Sequence, residues 1–304
     1  MTSRTRTTKA QIVQVPEFGE VVTPDQALEN PGKTNAEIKA ILSDTHVNEI
    51  PTITLPADDL VTLPGGLIKD DQLIRTAVVK ELTGQDEEAL AKASQSMSVF
   101  HFIDRLLRCG VVQIGDFPPS KTESLLKELL VGDREALILG IRRATYGEEL
   151  DIEKWKCLNC GTDTDLSMEL SDIPSVSLDN PEEEIVFEVP LRKGRSATVR
   201  LANGADQTAL YENKELTTAE RQSILLSRCV IEIEEANGRR QSMAAFPSLA
   251  LGMSIPDRHK ILDELDKRQP GPKYDQVSYT CDACGEEVKV AVGLAHLFLD
   301  FGWI

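Results

Sequence analysis

Two spacings of apolar residues alternate along the chain and predict strands and helices. Apolar and polar residues alternate in residues 73–81, 185–191 and 197–201, as in β-strands with one buried face. In residues 97–108 the apolar positions recur every three or four residues instead. This second spacing predicts an amphipathic helix that stops at Gly110.

Several apolar segments are preceded by sequences that start helices. Ser120 stands three residues before Glu123, and Thr217 stands three residues before Glu220, a spacing at which a hydroxyl and an acid cap a helix reciprocally. Thr83 is predicted to cap a helix with acids in its first turn, where the helix dipole favours them. The predicted helix starts are Thr83, Ser120, Gly132, Thr217 and Ser254. The glycines of Leu63-Pro-Gly-Gly66 predict a turn before the first strand.

Alternating segments also flank two Cys-x-x-Cys-Gly sequences. Leu150 and Ile152 lead to Cys157, while Val277 and Tyr279 lead to Cys281. Each cysteine pair is therefore predicted to lie at the tip of a β-hairpin. Strands, then helices, then a strand–cysteine turn–strand unit occur twice, so the predicted fold class is α+β.

Matched residues recur at a nearly constant distance, which indicates an internal duplication. A shift of 120 positions places Asp86 on Asp206 and Cys109 on Cys229. Farther along, a short insertion changes the shift to 124. The pairs matched at the second shift are Asp133 and Asp257, Arg134 and Arg258, Gly147 and Gly271, Cys157 and Cys281, and Cys160 and Cys284. We interpret the pattern as two tandem pseudo-symmetric repeats.

The duplication and a change in composition divide the chain into three predicted segments. Residues 1–60 form an extended N-terminal arm, and residues 61–175 and 176–304 form the two repeats. The arm is rich in proline, which in isolation predicts a flexible leader and in an assembly predicts a segment ordered by its neighbours. Its basic residues near the start are Arg4, Arg6 and Lys9.

The two cysteine pairs together match the ligand set of a structural zinc ion. Tetrahedral Zn²⁺ takes four thiolates, and each Cys-x-x-Cys-Gly turn supplies two of them. The predicted ligands are Cys157, Cys160, Cys281 and Cys284, with one zinc ion per chain. The long separation means that tertiary pairing of the repeats must bring the pairs together. Half-sites completed by another subunit would be the alternative.

Two other interpretations of the cysteine pairs are weaker. A redox Cys-x-x-Cys stands at a helix start after a strand, whereas here alternating strands flank both pairs. A nucleic-acid-binding zinc ribbon needs a basic face with aromatic residues. This chain has a net charge of −17 and is 5% aromatic. We therefore expect a closed, structural site, with nucleic acid as an improbable partner.

Composition places the chain in the class of ordinary globular proteins. It has 304 residues, of which 41% are hydrophobic and 27% charged. No apolar segment reaches the roughly 20 residues of a membrane span, and the first residues lack the apolar core of a signal peptide. Six cysteines in a chain of this length do not predict a secreted disulfide framework.

No arrangement of residues predicts catalysis. The four histidines are scattered, and none stands beside a candidate nucleophile. Cys109 and Cys229, each after an arginine at a predicted helix end, are interpreted as core thiols. The sequence also lacks a glycine-rich phosphate loop and a Ser/His/Asp arrangement. The protein is therefore not expected to be an enzyme.

A series of short motifs follows in a fixed order along the chain. They are Leu-Pro-Gly at 63–65, Leu-Thr-Gly-Gln-Asp-Glu-Glu at 82–88, Arg-Cys at 108–109, Gly-Asp-Arg-Glu at 132–135, the first cysteine turn, Gly-Ala-Asp-Gln at 204–207, a second Arg-Cys, the second cysteine turn, and His-Leu-Phe-Leu-Asp-Phe-Gly-Trp at 296–303. In this order they resemble one family, the phage baseplate proteins similar to the T-even phage baseplate hub component. The resemblance covers about residues 61–304 and depends on the order of the motifs, since each motif is short.

The resemblance implies a non-enzymatic structural component of a phage tail baseplate or a related injection particle. Its partners would be other tail proteins and copies of itself in a symmetric assembly. Its location would be the virion tail, with the host cytoplasm during assembly. The alternatives are an assembly chaperone that leaves the finished hub and, less favoured, a zinc-ribbon regulator that binds nucleic acid.

Overall fold

The computed structural model describes residues 60–96, 99–211, 215–290, 292–293 and 297–298. All of them belong to one compact unit of the chain. The sequence-based predictions for the arm before residue 60 lie outside the described residues. Helices and strands are both abundant, which confirms the predicted α+β class.

The first part of this unit combines a small sheet with four helices and a hairpin. The sheet is antiparallel, in the order β1-β2-β3, and the hairpin pairs β4 with β5. The elements are β1 (Leu60–Lys69), β2 (Gln72–Val79), α1 (Gly84–Ser96), α2 (Val99–Gly110), β3 (Val111–Ile114), α3 (Thr122–Glu128), α4 (Val131–Tyr146), β4 (Glu149–Lys156) and β5 (Asp163–Glu169).

A short connection leads to the second part, which has a four-stranded antiparallel sheet in the order β10-β9-β8-β7. The connecting elements are β6 (Ser175–Val176) and α5 (Pro181–Glu184). The following elements are β7 (Val186–Pro190), β8 (Ser196–Arg200), α6 (Gly204–Tyr211), α7 (Thr218–Cys229), β9 (Val230–Glu234), β10 (Arg240–Ser242), α8 (Leu249–Gly252), α9 (Ile255–Arg268), β11 (Gly271–Pro272), β12 (Ser278–Thr280) and β13 (Glu287–Lys289).

The two parts share structure along their boundary. β6 pairs with β11, which joins the connection to the segment that precedes the second hairpin. Helix α6 packs against α2, α3 and α4 of the first part. Val277 and Val290 of the second hairpin are buried in the same hydrophobic cluster as the first sheet. The second hairpin therefore packs on the core of the first part.

A close backbone approach lies where α4 begins. A Cβ atom added to Gly132 would lie 1.7 Å from the carbonyl oxygen of Pro270. Gly271, with a φ of 111°, faces the same point from the other side. Only residues without a side chain fit here, so the two glycines allow the start of α4 to meet the segment that follows α9.

Two local predictions were wrong. Leu63–Gly66 is not a turn: it is a buried irregularity within β1, and the reversal occurs at Asp70 and Asp71, whose φ values of 51° and 58° suit a type I′ hairpin. Ser120 does not cap α3, because a 3₁₀ turn that starts at Pro119 already places Ser120 in helical backbone. A capping residue needs extended backbone.

Other helix starts are confirmed by their hydrogen bonds. Thr217 and Glu220 form the predicted capping box at α7, and the Ser254 side chain accepts from the backbone N–H of Asp257 at α9. Thr83 and Asp86 are paired in the same way before α1. In the described part of the chain, no helix is both long enough and apolar enough to cross a bilayer.

Candidate metal centre

The two cysteine turns have the same backbone geometry. The N–H of Gly161 donates to the carbonyl oxygen of Cys157 at 2.9 Å, and the N–H of Gly285 donates to that of Cys281 at 2.7 Å. Both glycines have positive φ, 73° and 71°. A side chain at either position would strain the turn, which explains why glycine follows each pair.

The tertiary fold brings the four sulfurs together. Among the described residues, Cys157, Cys160, Cys281 and Cys284 form a group whose sulfurs all lie within 4.8 Å of one another. The Cys157 and Cys284 sulfurs are 4.0 Å apart, and those of Cys160 and Cys281 are 3.8 Å apart. A Zn–S bond of ~2.3 Å in a regular tetrahedron separates sulfurs by ~3.8 Å. The spacing therefore fits a tetrahedral ion, whereas a disulfide bond would be far shorter.

The electrostatics of the cluster also favour a cation. Hydrogen bonds from Thr162 lower the pKa of Cys160 to about 6, so this sulfur is a thiolate at neutral pH. The backbone N–H of Cys284 lowers the pKa of Cys281, but burial and the neighbouring thiols outweigh it and raise the pKa to about 11. Four thiolates this close repel one another unless a positive ion neutralises them. A bound divalent cation would deprotonate all four.

Side chains around the cluster connect the two hairpins. Cys157 and Cys281 are buried, whereas Cys160 is exposed. The Asn159 side chain donates from Nδ2 to the Cys284 sulfur at 3.6 Å, from one hairpin to the other. Trp155 and Tyr279, on the strands that lead into the two turns, are in edge-to-face contact. All four coordination positions can be filled by this chain, which leaves none open for a substrate.

The other two cysteines lie away from this cluster, at the ends of α2 and α7. Cys229 is buried, and burial raises its pKa to about 12. Cys109 is half-buried, and burial also raises its pKa. Both thiols are neutral at physiological pH, which agrees with the prediction that they are core residues.

A carboxylate network beside Cys229 was not predicted from the sequence. Asp206 is fully buried and accepts from the Arg200 guanidinium at 2.6 and 2.9 Å and from Arg228 Nε at 2.7 Å. Burial opposes its ionisation, but the bonds from Arg200 outweigh that effect and lower the pKa of Asp206. The matched Asp86 accepts from Lys80 at 2.6 Å and from the backbone N–H of Thr83 at 3.0 Å. The repeated position of the two aspartates was the available sequence signal.

A second matched pair, Asp133 and Asp257, joins helix starts to sheet hairpins. Asp133 accepts from the backbone N–H groups of Gly65 and Gly66 at 2.6 and 3.3 Å. Asp257 accepts from the backbone N–H of Arg192 at 3.0 Å and from the Arg195 guanidinium at 2.6 Å. Among the described residues, the first aspartate accepts from backbone amides, whereas the second also accepts from a cation.

The fold and this site define an α+β protein in which two cysteine hairpins meet to form a four-thiol cluster. The family described as T4 bacteriophage base plate protein matches the chain over residues 76–299. The chain therefore belongs to that family, and the resemblance found in the sequence is confirmed. Comparison with curated proteins gave no match, nor did comparison with solved structures.

Proposed function

We propose that the protein is a structural component of a phage tail baseplate, in which one zinc ion joins the two halves of the chain. Membership of the baseplate family is the observation on which this function mainly depends. The proposed zinc ligands are Cys157, Cys160, Cys281 and Cys284. A closed four-thiol site supplies stability and no reactive position, so the proposed role is not enzymatic.

The zinc would act as a link between distant parts of the chain. Its two pairs of ligands stand on hairpins that are separated by more than a hundred residues. Binding at such sites contributes ~10–16 kcal/mol in small zinc-finger peptides. In a tail component that must persist in the free particle, this link would oppose separation of the two hairpins.

The same proposal includes a tandem duplication of one structural unit. Support comes from contacts that recur at the sequence shift of 124. Arg134 Nη1 donates to the carbonyl oxygen of Leu126 at 2.8 Å, and Arg258 Nη1 donates to that of Ala250 at 2.8 Å. In both parts a two-stranded hairpin precedes two helices, a strand, two more helices and a cysteine hairpin, and the second part adds the strands β10 and β11 to this order. Residues 61–175 and 176–304 are the proposed repeats.

Quantitative mass spectrometry of purified mature particles tests the proposed function. Copies of this protein are counted against a major tail protein of the same particle, and the crude lysate is measured in parallel. A structural component is expected in a fixed ratio that matches the tail symmetry. Presence in the lysate with absence from particles would contradict a structural role and identify an assembly factor. Measuring zinc in the same particles tests the metal separately.

A further inference from the structure

Helix α6 docks on the first part of the chain through its first residues. The N–H of Gly204 donates to the carbonyl oxygen of Leu129 at 2.9 Å, and Arg134 Nε donates to Gln207 Oε1 at 3.0 Å. A Cβ atom on Gly204 would lie 2.7 Å from the carbonyl oxygen of Leu126. The contact is therefore tight and depends on glycine at this position.

The surface that receives α6 occurs a second time, on α8 and the start of α9. Arg258 binds the carbonyl oxygen of Ala250 as Arg134 binds that of Leu126. Among the described residues, however, Arg258 Nε has no acceptor. Leu251 and Ile255 beside it are 73% and 69% exposed. We call residues 250–258 the acceptor surface.

The surface that docks also occurs a second time, at the start of α1. Gly84 stands 120 positions before Gly204, and Glu87 stands 120 positions before Gln207. A Cβ atom on Gly84 would have nothing within 4 Å in the described structure. Glu87 is exposed. We call residues 83–88 the donor surface.

We propose that the donor surface of one copy docks on the acceptor surface of a second copy and repeats the contact that α6 makes within the chain. Glu87 would then accept from Arg258 Nε, where Gln207 accepts from Arg134. The carboxylate gives this hydrogen bond a charged acceptor as well as a charged donor, which strengthens it. The contact would also reach Ile255, a large exposed apolar side chain, because the matched Val131 lies in the internal contact and donates to Ala202.

Backbone groups at the two surfaces are matched in the same way. The N–H of Val131 donates to the carbonyl oxygen of Ala202 at 3.1 Å, beside the bond from Gly204 to Leu129. Ile255 corresponds to Val131 at the shift of 124, and Gly84 corresponds to Gly204 at the shift of 120. Neither the N–H of Ile255 nor that of Gly84 has an acceptor in the described part of the chain. A second copy would supply both acceptors. Unpaired amides at the start of a helix favour such an addition.

Sedimentation velocity of the full-length, zinc-loaded protein over a range of concentrations tests the contact. The wild type is expected to self-associate. Gly84→Ala leaves the isolated fold unstrained, but its Cβ would meet the carbonyl oxygen of Ala250 in the second copy. Ile255→Asp places an acid in the first turn of α9, where the helix dipole favours it, and puts a charge in the contact. Each variant is expected to raise the dissociation constant about tenfold or more.

A mixture of the two variants separates this contact from any other mode of association. Gly84→Ala retains an intact acceptor surface, and Ile255→Asp retains an intact donor surface, so the mixture should regain association that neither variant shows alone. Glu153→Arg, a charge reversal at an exposed position of β4, is the control and should behave like the wild type. Unchanged melting temperatures establish that the variants are folded.

The self-contact, between the donor surface of one copy and the acceptor surface of another, extends the proposed structural role. Its place in the particle rests on that proposed function. A wild type that stays monomeric at all accessible concentrations would overturn the self-contact, as would a mixture that does not regain association. Either result would leave the proposed baseplate function intact if the protein is present in mature particles. Absence from particles would overturn the function and leave the solution contact standing.

Discussion

Trp155 and Tyr279 lie edge to face, with ring centroids 6.3 Å apart and ring planes at 74°. They occupy matched positions, each two residues before the first cysteine of its turn. The aromatic contact therefore joins the two hairpins next to the sulfurs. It makes Trp155 a reporter for the cysteine cluster, because separation of the hairpins would expose its ring to water.

Loss of one cysteine from each pair should remove the proposed metal and weaken the fold. We expect Cys157→Ser combined with Cys281→Ser to reduce zinc from one ion per chain to none, measured by elemental mass spectrometry. The melting temperature should fall at the same time, and Trp155 emission should shift to longer wavelength. Cys109→Ser is the matched control, because that half-buried thiol lies outside the cluster.

Unchanged melting of the double variant would contradict a metal that joins the two hairpins. Zinc loss without a change in Trp155 emission would show that packing alone holds them together. A value of half an ion per chain in the wild type would instead indicate a site shared between subunits. Trp303 also contributes emission, so Trp303→Phe is introduced in every protein compared.

The sequence predicted this site from the repeated cysteine turns, and the structure brings all four sulfurs together. The sequence did not predict what surrounds it. Asp133 accepts from the N–H groups of Gly65 and Gly66, which lie almost seventy residues earlier in the sequence, and no local sequence pattern predicts that pairing. The same tertiary contact explains the wrong prediction at Leu63–Gly66. The N–H groups of these glycines donate to the Asp133 carboxylate, and the glycines lie within strand β1, whereas local propensity indicates a turn.

Gly132 should tolerate no side chain. In Gly132→Ala the new Cβ would lie 1.7 Å from the Pro270 carbonyl oxygen, so two backbone segments must move apart. We expect a loss of ~3 kcal/mol or more in the free energy of unfolding, measured with urea. Gly84→Ala, with open space at its Cβ, should change it by ~0.5 kcal/mol at most. Similar values for the two variants would contradict the close approach.

Asp206 should contribute more to stability than its matched residue Asp86. Asp206→Ala leaves Arg200 and Arg228 without their buried acceptor, and we expect a loss of ~3 kcal/mol in the free energy of unfolding. In Asp86→Ala the loss should be ~1 kcal/mol, because Lys80 and Asp86 are 29% and 15% exposed and water can replace the contact. Urea unfolding of both variants gives the comparison, and equal losses would contradict it.

Asp133 and Asp257 should affect the pH dependence of stability differently. Burial raises the pKa of Asp133 to about 6, only partly offset by the N–H groups of Gly65 and Gly66. The folded protein therefore binds this proton more tightly than the unfolded chain, and stability from this group grows as pH falls from about 6 to about 4. Ionised Asp133 costs up to ~3 kcal/mol above that range.

For Asp257, burial would raise the pKa, but hydrogen bonds from the Arg192 backbone and Ser254, with the charges of Arg195 and Arg192, lower it. Ionised Asp257 therefore stabilises the fold at pH values above the pKa that this group has in the unfolded chain. That stabilisation is lost only as the pH falls below this pKa. Unfolding in urea between pH 5 and 8, with zinc present, compares each Asp→Asn variant with the wild type. Asp133→Asn should lose stability relative to the wild type as pH falls, whereas the deficit of Asp257→Asn should be constant. Parallel curves for the two variants would contradict the difference between their sites.

Residues 1–55 lie outside the described residues, and their predicted role concerns assembly. Their proline content and the basic residues Arg4, Arg6 and Lys9 predict an arm that contacts a neighbouring subunit. We expect a chain that begins at residue 56 to fold and bind one zinc ion, because β1 starts at Leu60 and the four cysteines remain. That chain should nevertheless be absent from particles when it replaces the full-length protein. A triple variant in which Arg4, Arg6 and Lys9 are changed to Ala retains the arm. It tests whether incorporation depends on these basic residues or on the rest of the arm. Normal incorporation of the truncated chain would show that assembly depends on surfaces after residue 55.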